Sequence, residues 1–356
     1  MSAQSSLREV VIFAPHQLAE ITTALKSALF DAGPPLLVLE EASWPTDPLQ
    51  VPREVALVVA TSGSTGSVKY VLHSASTLLA SANATHAYLD AQPGERWALR
   101  LPLTHIAGLM VLVRSLLLNS PLSENGEYQA VVPTQLFRAL RGDETLAPLK
   151  NAKAVLVGGG PSDVKLIEEA RAAGIKAITT YGMSETAGGR VYNGRPLTGV
   201  KILLDSAQQI FVSGPQVALG YLHDSTGFQD GGFLTQDIGQ WREDGLLEIL
   251  GRADDIVISG GQKILLGAIE ERIRSMPGVI DVHLFTRKSA EWGDEVVCAV
   301  AGGKSITLSS IRDHVAERFP RSSAPRALIL LAELPLRGIG KPDRDTLKTL
   351  PLTEEI

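Results

Sequence analysis

The chain has 356 residues, of which 33 are Lys or Arg and 39 are Asp or Glu, so that its formal net charge is −6. This balance argues against a nucleic-acid partner held mainly by electrostatics, and no apolar run reaches the roughly 18 residues that a membrane-spanning helix needs. The single cysteine, Cys298, excludes an internal disulfide, and the N-terminus lacks the charged and apolar segments of a signal peptide, so we expect a cytoplasmic protein.

Strand and helix patterns alternate through the first two-thirds of the chain, which favours an α/β fold of mixed β-sheets covered by helices. The predicted strands lie at 10–14, 36–40, 55–60, 95–101, 153–159 and 176–181. The predicted helices lie at 16–31, 75–90, 106–118, 133–141 and 162–173. Ser162 is the expected N-cap of the last helix, and Gly174 is expected to end it. The very apolar helix 106–118 contains Arg114 and is predicted to lie in a protein core.

From about residue 200 the pattern changes to short strands and tight turns, including a hairpin expected around Glu243, Asp244 and Gly245. After Ile264 the patterns are those of a small α+β domain, with helices at 267–275 and 307–319 and strands at 280–286, 295–300 and 327–331. This change places the domain boundary near 251–255. We therefore predict a large N-terminal domain, residues 1–253, and a small C-terminal domain, residues 254–356.

Residues 61–69, TSGSTGSVK, follow a predicted buried strand and combine glycines, hydroxyls and a lysine. Glycines let backbone N–H groups approach a ligand closely, hydroxyls add hydrogen-bond donors, and the lysine adds positive charge. The composition indicates an anion site with phosphate as its natural ligand, although an ordinary polar loop has a similar composition. The spacing differs from the common nucleotide P-loop, because two residues rather than four separate Gly63 from Gly66, and Tyr70 follows Lys69.

Four further segments follow along the chain: TYGMSET at 180–186, FLTQDIG at 233–239, GRADDIVISGGQKI at 251–264 and GIGKPDR at 338–344. Together with TSGSTGSVK, and in this order, they resemble the signature motifs of the adenylate-forming superfamily of acyl-CoA and aryl-CoA ligases, peptide-synthetase adenylation domains and luciferases. The resemblance implies the fold of that superfamily, here with a shortened N-terminus, in which the small C-terminal domain is mobile and rotates about a hinge.

A narrower resemblance rests on LPLTHIAGLMVLVRSLL at 101–117, LVGGGP at 156–161 and TYGMSETAGGRVYNG at 180–194. These segments are similar to the o-succinylbenzoate–CoA ligase family of menaquinone biosynthesis, in particular its short actinobacterial form. The resemblance implies an aromatic carboxylic acid, ATP and coenzyme A as substrates and Mg²⁺ as the metal ion. The acid would first attack the α-phosphate of ATP, and the coenzyme A thiolate would then displace AMP.

The resemblance also implies roles for individual residues. The predicted ATP-binding residues are Thr61, Ser62, Gly63, Ser64, Thr65, Gly66, Lys69, Gly158, Gly159, Gly160, Tyr181, Gly182, Ser184, Asp237 and Arg252. Glu185 would help to hold Mg²⁺, Lys341 would be the catalytic lysine of adenylation, and Asp254 would be the hinge residue. The chain departs from the usual family pattern at Val68 and Gln236, where Pro and Gly are common, and at Pro342, where an aliphatic residue is common.

His105 and Arg114 flank the candidate acyl pocket. o-Succinylbenzoate has a second carboxylate, and the planar guanidinium of Arg114 is a suitable partner for it. An alternative is that Arg114 forms an ion pair with a structural Asp or Glu, because a charge in an apolar helix is costly unless it is paired.

Three other functions are consistent with the sequence. The chain could be another aryl-CoA or fatty-acyl-CoA ligase, a stand-alone adenylation domain that loads a carrier protein, or a non-enzymatic nucleotide sensor; the presence of Glu185, Asp237 and Lys341 argues against the sensor. The sequence leaves the oligomeric state open, with a homodimer as one alternative.

Overall fold

The computed structural model describes residues 7–62, 68–160, 164–259, 262–289, 293–337 and 341–356. No helix within these ranges is both long enough and apolar enough to cross a bilayer. The helices in these ranges are, in chain order, α1 Leu18–Phe30, α2 Ala75–Leu89, α3 Ile106–Leu117, α4 Pro133–Leu140, α5 Val164–Ala172, α6 Leu266–Arg274, α7 Leu308–Ala316 and α8 Arg344–Thr349.

The strands in the described ranges are short and numerous. The first thirteen are β1 Leu7–Glu9, β2 Val11–Phe13, β3 Leu36–Val38, β4 Gln50–Pro52, β5 Val55–Ser62, β6 Val68–Ser74, β7 Trp97–Ala98, β8 Tyr128–Val131, β9 Ala154–Val157, β10 Ala177–Met183, β11 Gly188–Tyr192, β12 Arg195–Pro196 and β13 Lys201–Leu204. The others are β14 Gln209–Ser213, β15 Gly220–Tyr221, β16 Phe228–Gln229, β17 Gly232–Trp241, β18 Leu247–Arg252, β19 Ile256–Ser259, β20 Gln262–Leu265, β21 Val279–Ser289, β22 Gly293–Gly302, β23 Ala327–Leu331, β24 Leu336–Arg337, β25 Lys341–Pro342 and β26 Glu354–Glu355.

The chain divides into two compact units that are interleaved along the sequence. Unit 1 contains the described residues up to Leu203 together with Phe211–Thr235 and Arg242–Leu247. Unit 2 contains Leu204–Ile210, Gln236–Trp241 and Glu248–Ile356. The boundary between residues 253 and 254 stays a prediction.

Unit 1 is built on two mixed sheets with α2 and α3 between them. One sheet has the strand order β15-β6-β5-β3-β2, and the other has the order β12-β11-β10-β9-β8-β7. One core cluster joins α2 and α3 to the first sheet through residues such as Leu78 and Leu109, and another joins the same helices to the second sheet through Val111 and Trp97. Because α3 meets apolar side chains on both sides, it is buried along most of its length, which explains its nearly continuous apolar sequence.

The other faces of these sheets are covered separately. The helices α4 and α5 pack on the outer face of the second sheet through a cluster that includes Leu136, Val155 and Ile167. In the first sheet, β2, β3 and β5 are parallel, whereas β5 and β6 form an antiparallel hairpin.

A further sheet has the order β13-β14-β17-β16, with β18 beside β17.

Unit 2 has a mixed sheet in the order β20-β19-β22-β23-β26, with β21 also paired to β22. The helices α6 and α7 pack on one face of this sheet through a cluster that includes Ile269, Cys298 and Ile311. Leu347 of α8 belongs to a second cluster, which includes Phe285 and Val297 of the sheet. The predicted small α+β arrangement of this part of the chain is therefore present.

The α/β fold with mixed sheets and covering helices is confirmed, and the local signals explain several element ends. Ser74 caps α2, since its hydroxyl accepts a 3.1 Å hydrogen bond from the Thr77 amide. Gly174 ends α5 with a φ of +89°, as predicted. The predicted N-cap Ser162 lies outside the described residues. The turn before β18 also forms as predicted, with Gly245 at a φ of +75°.

Two expectations were wrong. The predicted strand 95–101 is reduced to Trp97–Ala98, which form the edge strand of the second sheet and pair on one side only. The sequence TSGSTGSVK was expected to be a loop as far as Lys69, but the chain forms β6 from Val68. Lys69 therefore lies on a strand, directly opposite Thr61 of β5.

Candidate active site

The β5–β6 hairpin carries the predicted phosphate-binding segment. Thr61 and Lys69 face each other across the hairpin, and the Thr61 hydroxyl donates a 3.4 Å hydrogen bond to the Lys69 carbonyl. The residues from Gly63 to Gly66 and the side chain of Ser62 lie outside what the structure describes. The two ends of the segment are thus held together by backbone pairing.

The ammonium group of Lys69 is held by two neighbours from a distant part of the chain. Its Nζ atom lies 3.2 Å from Oδ2 of Asp224 and 4.6 Å from the centre of the Tyr221 ring. The hydroxyl and amide of Thr226 both donate hydrogen bonds to Asp224 and, with Lys69, lower the pKa of its carboxyl group to about 2. Asp224 is consequently an ionised counter-charge for Lys69 at neutral pH.

Tyr221 also contacts the predicted magnesium ligand. Its hydroxyl donates a 2.7 Å hydrogen bond to Oε1 of Glu185. Burial and the hydrogen bond to this carboxylate raise the pKa of Tyr221, so that the phenol remains a donor. The Tyr221 ring packs edge-on against Phe228 at 5.2 Å between centroids, which limits its movement. One tyrosine therefore joins the predicted metal ligand to the predicted phosphate ligand.

The predicted adenine site lies at the ends of β9 and β10, which are parallel neighbours. Gly158 follows β9, and a Cβ atom at this position would lie 2.2 Å from Oγ1 of Thr180. Gly159 has a φ of +81°, which favours glycine, and Gly160 is exposed with open space around it. The strand β10 contains Tyr181 and Gly182, and a Cβ atom on Gly182 would lie 2.0 Å from the Gly188 carbonyl oxygen. Close backbone packing therefore requires glycine at 182, whereas a side chain at 158 would clash with the Thr180 side chain.

Ser184 and Glu185 lie in a single 3₁₀ turn, Ser184–Thr186, between β10 and β11. His73 of β6 donates a 2.8 Å hydrogen bond from Nε2 to the Ser184 carbonyl. Burial lowers the pKa of His73 to about 3, so the ring is neutral at pH 7. No local sequence motif indicates this histidine, because its role depends on a contact between residues 111 positions apart.

Arg114 and His105 lie on the same helix but in different surroundings. His105 is the exposed N-cap residue of α3, whereas the side chain of Arg114 is buried with 4% exposure. The Arg114 guanidinium stacks on the Trp97 ring at 5.0 Å. Within the part of the chain that the structure describes, Arg114 forms no ion pair with an Asp or Glu. The alternative of a structural ion pair therefore finds no support in these residues.

The other predicted site residues belong to unit 2. Nη1 of Arg252 lies 3.6 Å from Oδ1 of Asp237, so the two predicted ribose-binding residues are neighbours. Asp254 lies in the 3₁₀ turn Ala253–Asp255, and Lys341 begins β25, where it pairs with Arg337. The side chains of Asp254 and Lys341 lie outside the described part of the structure.

A magnesium ion does not require a dedicated cage of protein ligands. Within the described ranges, no group of three or more His, Cys, Asp or Glu side chains is arranged to hold a metal. Mg²⁺ commonly takes one or two carboxylates and completes its octahedral shell with water and substrate phosphates. The single half-buried carboxylate of Glu185, oriented by Tyr221, fits this requirement.

Comparisons with known proteins identify the relatives of this chain. The profile of a family described as "AMP-binding enzyme" matches residues 5–121. A relative from Mycobacterium tuberculosis (strain CDC 1551 / Oshkosh), named "Probable 2-succinylbenzoate--CoA ligase", is 38% identical over 327 residues, which cover 84% of this chain and 85% of the relative.

Two solved structures share the fold. The o-succinylbenzoate CoA synthetase (MenE) from Bacillus subtilis in complex with the acyl-adenylate intermediate OSB-AMP is 22% identical, with a TM-score of 0.76 over 97% of this chain and 89% of that chain. The same synthetase in complex with ATP and a magnesium ion is 22% identical, with a TM-score of 0.73 over 95% of this chain and 89% of that chain.

Proposed function

This chain belongs to the AMP-binding enzyme family, and we propose that it is an ATP-dependent ligase that joins o-succinylbenzoate to coenzyme A. The products would be o-succinylbenzoyl-CoA, AMP and pyrophosphate, formed in the cytoplasm as a step of menaquinone biosynthesis. The similarity to the mycobacterial ligase supports the choice of reaction, and the site in unit 1 supports its chemistry.

The observation that carries the proposal is the grouping of Lys69, Tyr221, Glu185 and Ser184 in unit 1. Tyr221 contacts both the Lys69 ammonium and the Glu185 carboxylate, and Ser184 precedes Glu185 in the same turn. A cation, a metal-binding carboxylate and a hydroxyl are the groups needed around the phosphates of ATP. These residues come from three separate segments, so their grouping is a property of the folded chain.

The reaction would proceed in two half-reactions. In the first, an oxygen of the substrate carboxylate bonds to the α-phosphorus of ATP while the bond to the β-phosphate oxygen breaks, which gives an acyl-adenylate and pyrophosphate. In the second, the coenzyme A thiolate attacks the acyl carbon, AMP leaves, and the thioester remains. Because the first half-reaction brings an anion to a polyanion, catalysis depends mainly on positioning and on neutralising charge.

Different residues of the chain would bind the different parts of ATP. Lys69 and the segment after Thr61 would bind the β- and γ-phosphates, and Ser184 would contact the α-phosphate. Glu185 would hold Mg²⁺, which neutralises phosphate charge when it is bound. Tyr181 would stack on adenine beside the backbone of Gly158–Gly160 and Gly182, and Asp237 with Arg252 would bind the ribose.

Lys341 and Asp254 would act through unit 2. The Lys341 ammonium would bridge the substrate carboxylate and the α-phosphate, and a rotation about Asp254 would replace this lysine with the coenzyme A site for the second half-reaction. Arg114 would bind the carboxylate of the acid that is not activated, while His105 would lie near the entrance of the acyl pocket.

The proposal is tested by offering the purified chain ATP, Mg²⁺ and a panel of acids that contains o-succinylbenzoate, benzoate and a fatty acid. We expect pyrophosphate release with o-succinylbenzoate, followed by AMP release that depends on free coenzyme A. Pyrophosphate release with another acid alone would favour a different acyl-CoA ligase. AMP release only with a phosphopantetheine-bearing carrier protein would favour an adenylation domain. Homodimer formation stays a prediction, which sedimentation of the same sample would check.

A further inference from the structure

A second arginine, Arg190, is buried in unit 1 without a counter-charge. It lies on β11 with 0% exposure, and its Nη2 atom is 3.5 Å from the hydroxyl of Ser81, at the outer limit of a hydrogen bond. Its Nε and Nη1 atoms are also buried and have no hydrogen-bond partner in the part of the chain that the structure describes. Arg190 thus has donor capacity that these residues do not use.

Arg114 is also buried in unit 1 without a counter-charge. Its Nε atom is buried without a partner in the described ranges, and neither arginine forms an ion pair with a carboxylate there. Burial lowers the pKa of Arg190 to about 9; Tyr192 raises it, whereas the positive charge of Arg114 lowers it. Guanidinium groups stay protonated in proteins, so unit 1 buries two cations, one on β11 and one on α3, which pack against each other.

Such an arrangement is unfavourable in the free protein. A buried charge is strongly unfavourable unless it is paired, and a second charge of the same sign adds repulsion. An anion would remove both costs. A single carboxylate offers about four lone-pair sites, so it can accept hydrogen bonds from two guanidinium groups at once.

Arg190 lies close to the predicted reaction centre. Its neighbour Ser81 donates a 2.8 Å hydrogen bond to the Ala187 carbonyl, and the Ala187 amide donates to the Ser184 carbonyl. His73 bonds to the carbonyl of Ser184, and the charge of Arg190 contributes to the lowered pKa of His73. Nδ1 of His73 is buried and has no hydrogen-bond partner among the described residues. A chain of contacts therefore runs from Ser184 through Ala187 and Ser81 to Arg190, within unit 1. The helix α3, which carries Arg114, packs against β11, since a Cβ atom on Gly188 would lie 3.7 Å from Cγ of Met110.

We propose that Arg190 is a second specificity residue, which together with Arg114 binds the non-reacting carboxylate of the acid and makes the site selective for diacids. This inference rests on the proposed function and extends it, since the sequence motifs indicate Arg114 alone. It also explains why the interior of unit 1 tolerates two uncompensated charges: the substrate supplies the missing anion.

The test compares Arg190→Met with the wild-type chain. The diacid is o-succinylbenzoate, and the matched monoacid is 4-oxo-4-phenylbutanoate, which lacks the ring carboxylate. We expect the preference for the diacid, measured as the ratio of kcat/KM values from pyrophosphate release, to fall at least about tenfold, the scale of one lost charged hydrogen bond. The thermal midpoint of the free variant should equal or exceed that of the wild type, because methionine removes an unpaired buried charge.

Two further variants serve as comparisons: one that keeps the charge at residue 190, and one that changes a different arginine. Arg190→Lys keeps the charge but loses the planar fork, so it should lose less of the diacid preference than Arg190→Met. Arg100→Met is the control, because Arg100 donates hydrogen bonds to Gln129 and to the Glu124 carbonyl. It should lower the thermal midpoint and leave the diacid preference unchanged.

Two outcomes would overturn the inference: a diacid preference retained in Arg190→Met, or a variant that fails to fold or melts below the wild type. Binding is read separately, as the rise in thermal midpoint that the diacid gives over the monoacid, with and without ATP. If the wild type releases no pyrophosphate but shows this binding difference, and Arg190→Met abolishes it, the proposed reaction is wrong and the diacid site stands.

Discussion

The hydroxyl of Tyr221 donates a 2.7 Å hydrogen bond to Oε1 of Glu185, between residues 36 positions apart. This contact fixes the orientation of the carboxylate that we propose as a magnesium ligand, and the same tyrosine ring lies under the Lys69 ammonium. In the proposed site, Tyr221 would therefore position both the magnesium ligand and the phosphate-binding lysine.

Replacing Tyr221 with Phe should raise the Mg²⁺ concentration needed for half-maximal pyrophosphate release by about tenfold. A hydrogen bond to a charged group contributes about 1.5–3 kcal/mol, and without it Glu185 loses its preferred orientation. The control is Tyr88→Phe, since Tyr88 is exposed and its hydroxyl accepts a 3.4 Å hydrogen bond from the Asn193 amide. An unchanged Mg²⁺ requirement in Tyr221→Phe would contradict the positioning role.

Lys69 and Asp224 should give opposite results when each is changed. Lys69→Met should raise the KM for ATP about tenfold or more, because a charged phosphate contact is lost. Asp224→Asn should lower that KM by about two- to fivefold, the range of an exposed ion pair, because the competing carboxylate is removed.

Asp244→Asn is the matched control for Asp224→Asn, because Asp244 forms an exposed ion pair with Arg242 at 2.8 Å. It should leave the KM for ATP unchanged. If Asp224→Asn instead raised the KM as Lys69→Met does, Asp224 would be orienting the lysine rather than competing for it.

The two glycines near the predicted adenine site should differ in their tolerance of alanine. A Cβ atom on Gly182 would lie 2.0 Å from a backbone oxygen, whereas a Cβ atom on Gly160 would meet no atom within 4 Å. Gly182→Ala should lower the free energy of unfolding by at least about 2 kcal/mol, as expected for overpacking against a rigid backbone. Gly160→Ala should leave it unchanged. Urea unfolding checks both, and equal stability of the two variants would refute the expected clash.

His73 should make the protein less stable in acid. Its pKa is about 3 in the folded chain against 6.5 as the ordinary value, so the unfolded chain binds the additional proton between these pH values. The contribution of His73 is therefore complete above pH 6.5 and is lost as the pH falls toward 3, at about 1.4 kcal/mol per pH unit. Between pH 6.5 and pH 5 this amounts to about 2 kcal/mol.

The measurement is the free energy of unfolding at pH 7 and at pH 5. In His73→Gln the difference between the two values should shrink by about 2 kcal/mol, while the glutamine amide can still donate to Ser184. His86→Gln is the comparison. Burial lowers the pKa of His86 to about 4, so this variant removes the contribution of His86 to the pH dependence of stability and leaves that of His73 in place. A pH difference that is unaffected in His73→Gln would show that the ring is not buried in its neutral form.

Lys341 should be needed for only one of the two half-reactions. Lys341→Ala should lower the rate of adenylation at least about 100-fold, the scale of losing one positioned charge-stabilising donor. The same variant should still convert a supplied acyl-adenylate into the thioester. The control is Lys348→Ala, on the exposed face of the neighbouring α8. Normal adenylation by Lys341→Ala would remove this lysine from the mechanism.

The class of the fold and the position of most elements of unit 1 could be predicted from the residue pattern alone. The helix 106–118 could be predicted because a long apolar run fits only a buried helix, and the strand 55–60 because its apolar run ends in a glycine-rich segment. Motifs also indicated Lys69, Glu185 and Ser184, since each of these residues lies in a short segment with its own signature. These signals come from residues that are adjacent in the sequence, so they can be recognised without the folded structure.

The identity of the side chains that contact one another could be established only from the folded chain. His73, Tyr221, Asp224 and Arg190 carry no local signature, and their contacts join residues between 36 and 155 positions apart. The strand β6 was missed for a related reason, because its pairing with β5 and β15 stabilises it more than its own sequence pattern indicates. Burial and counter-charge are set by the packing of distant segments, so the unpaired charge of Arg190 became visible only in the folded chain.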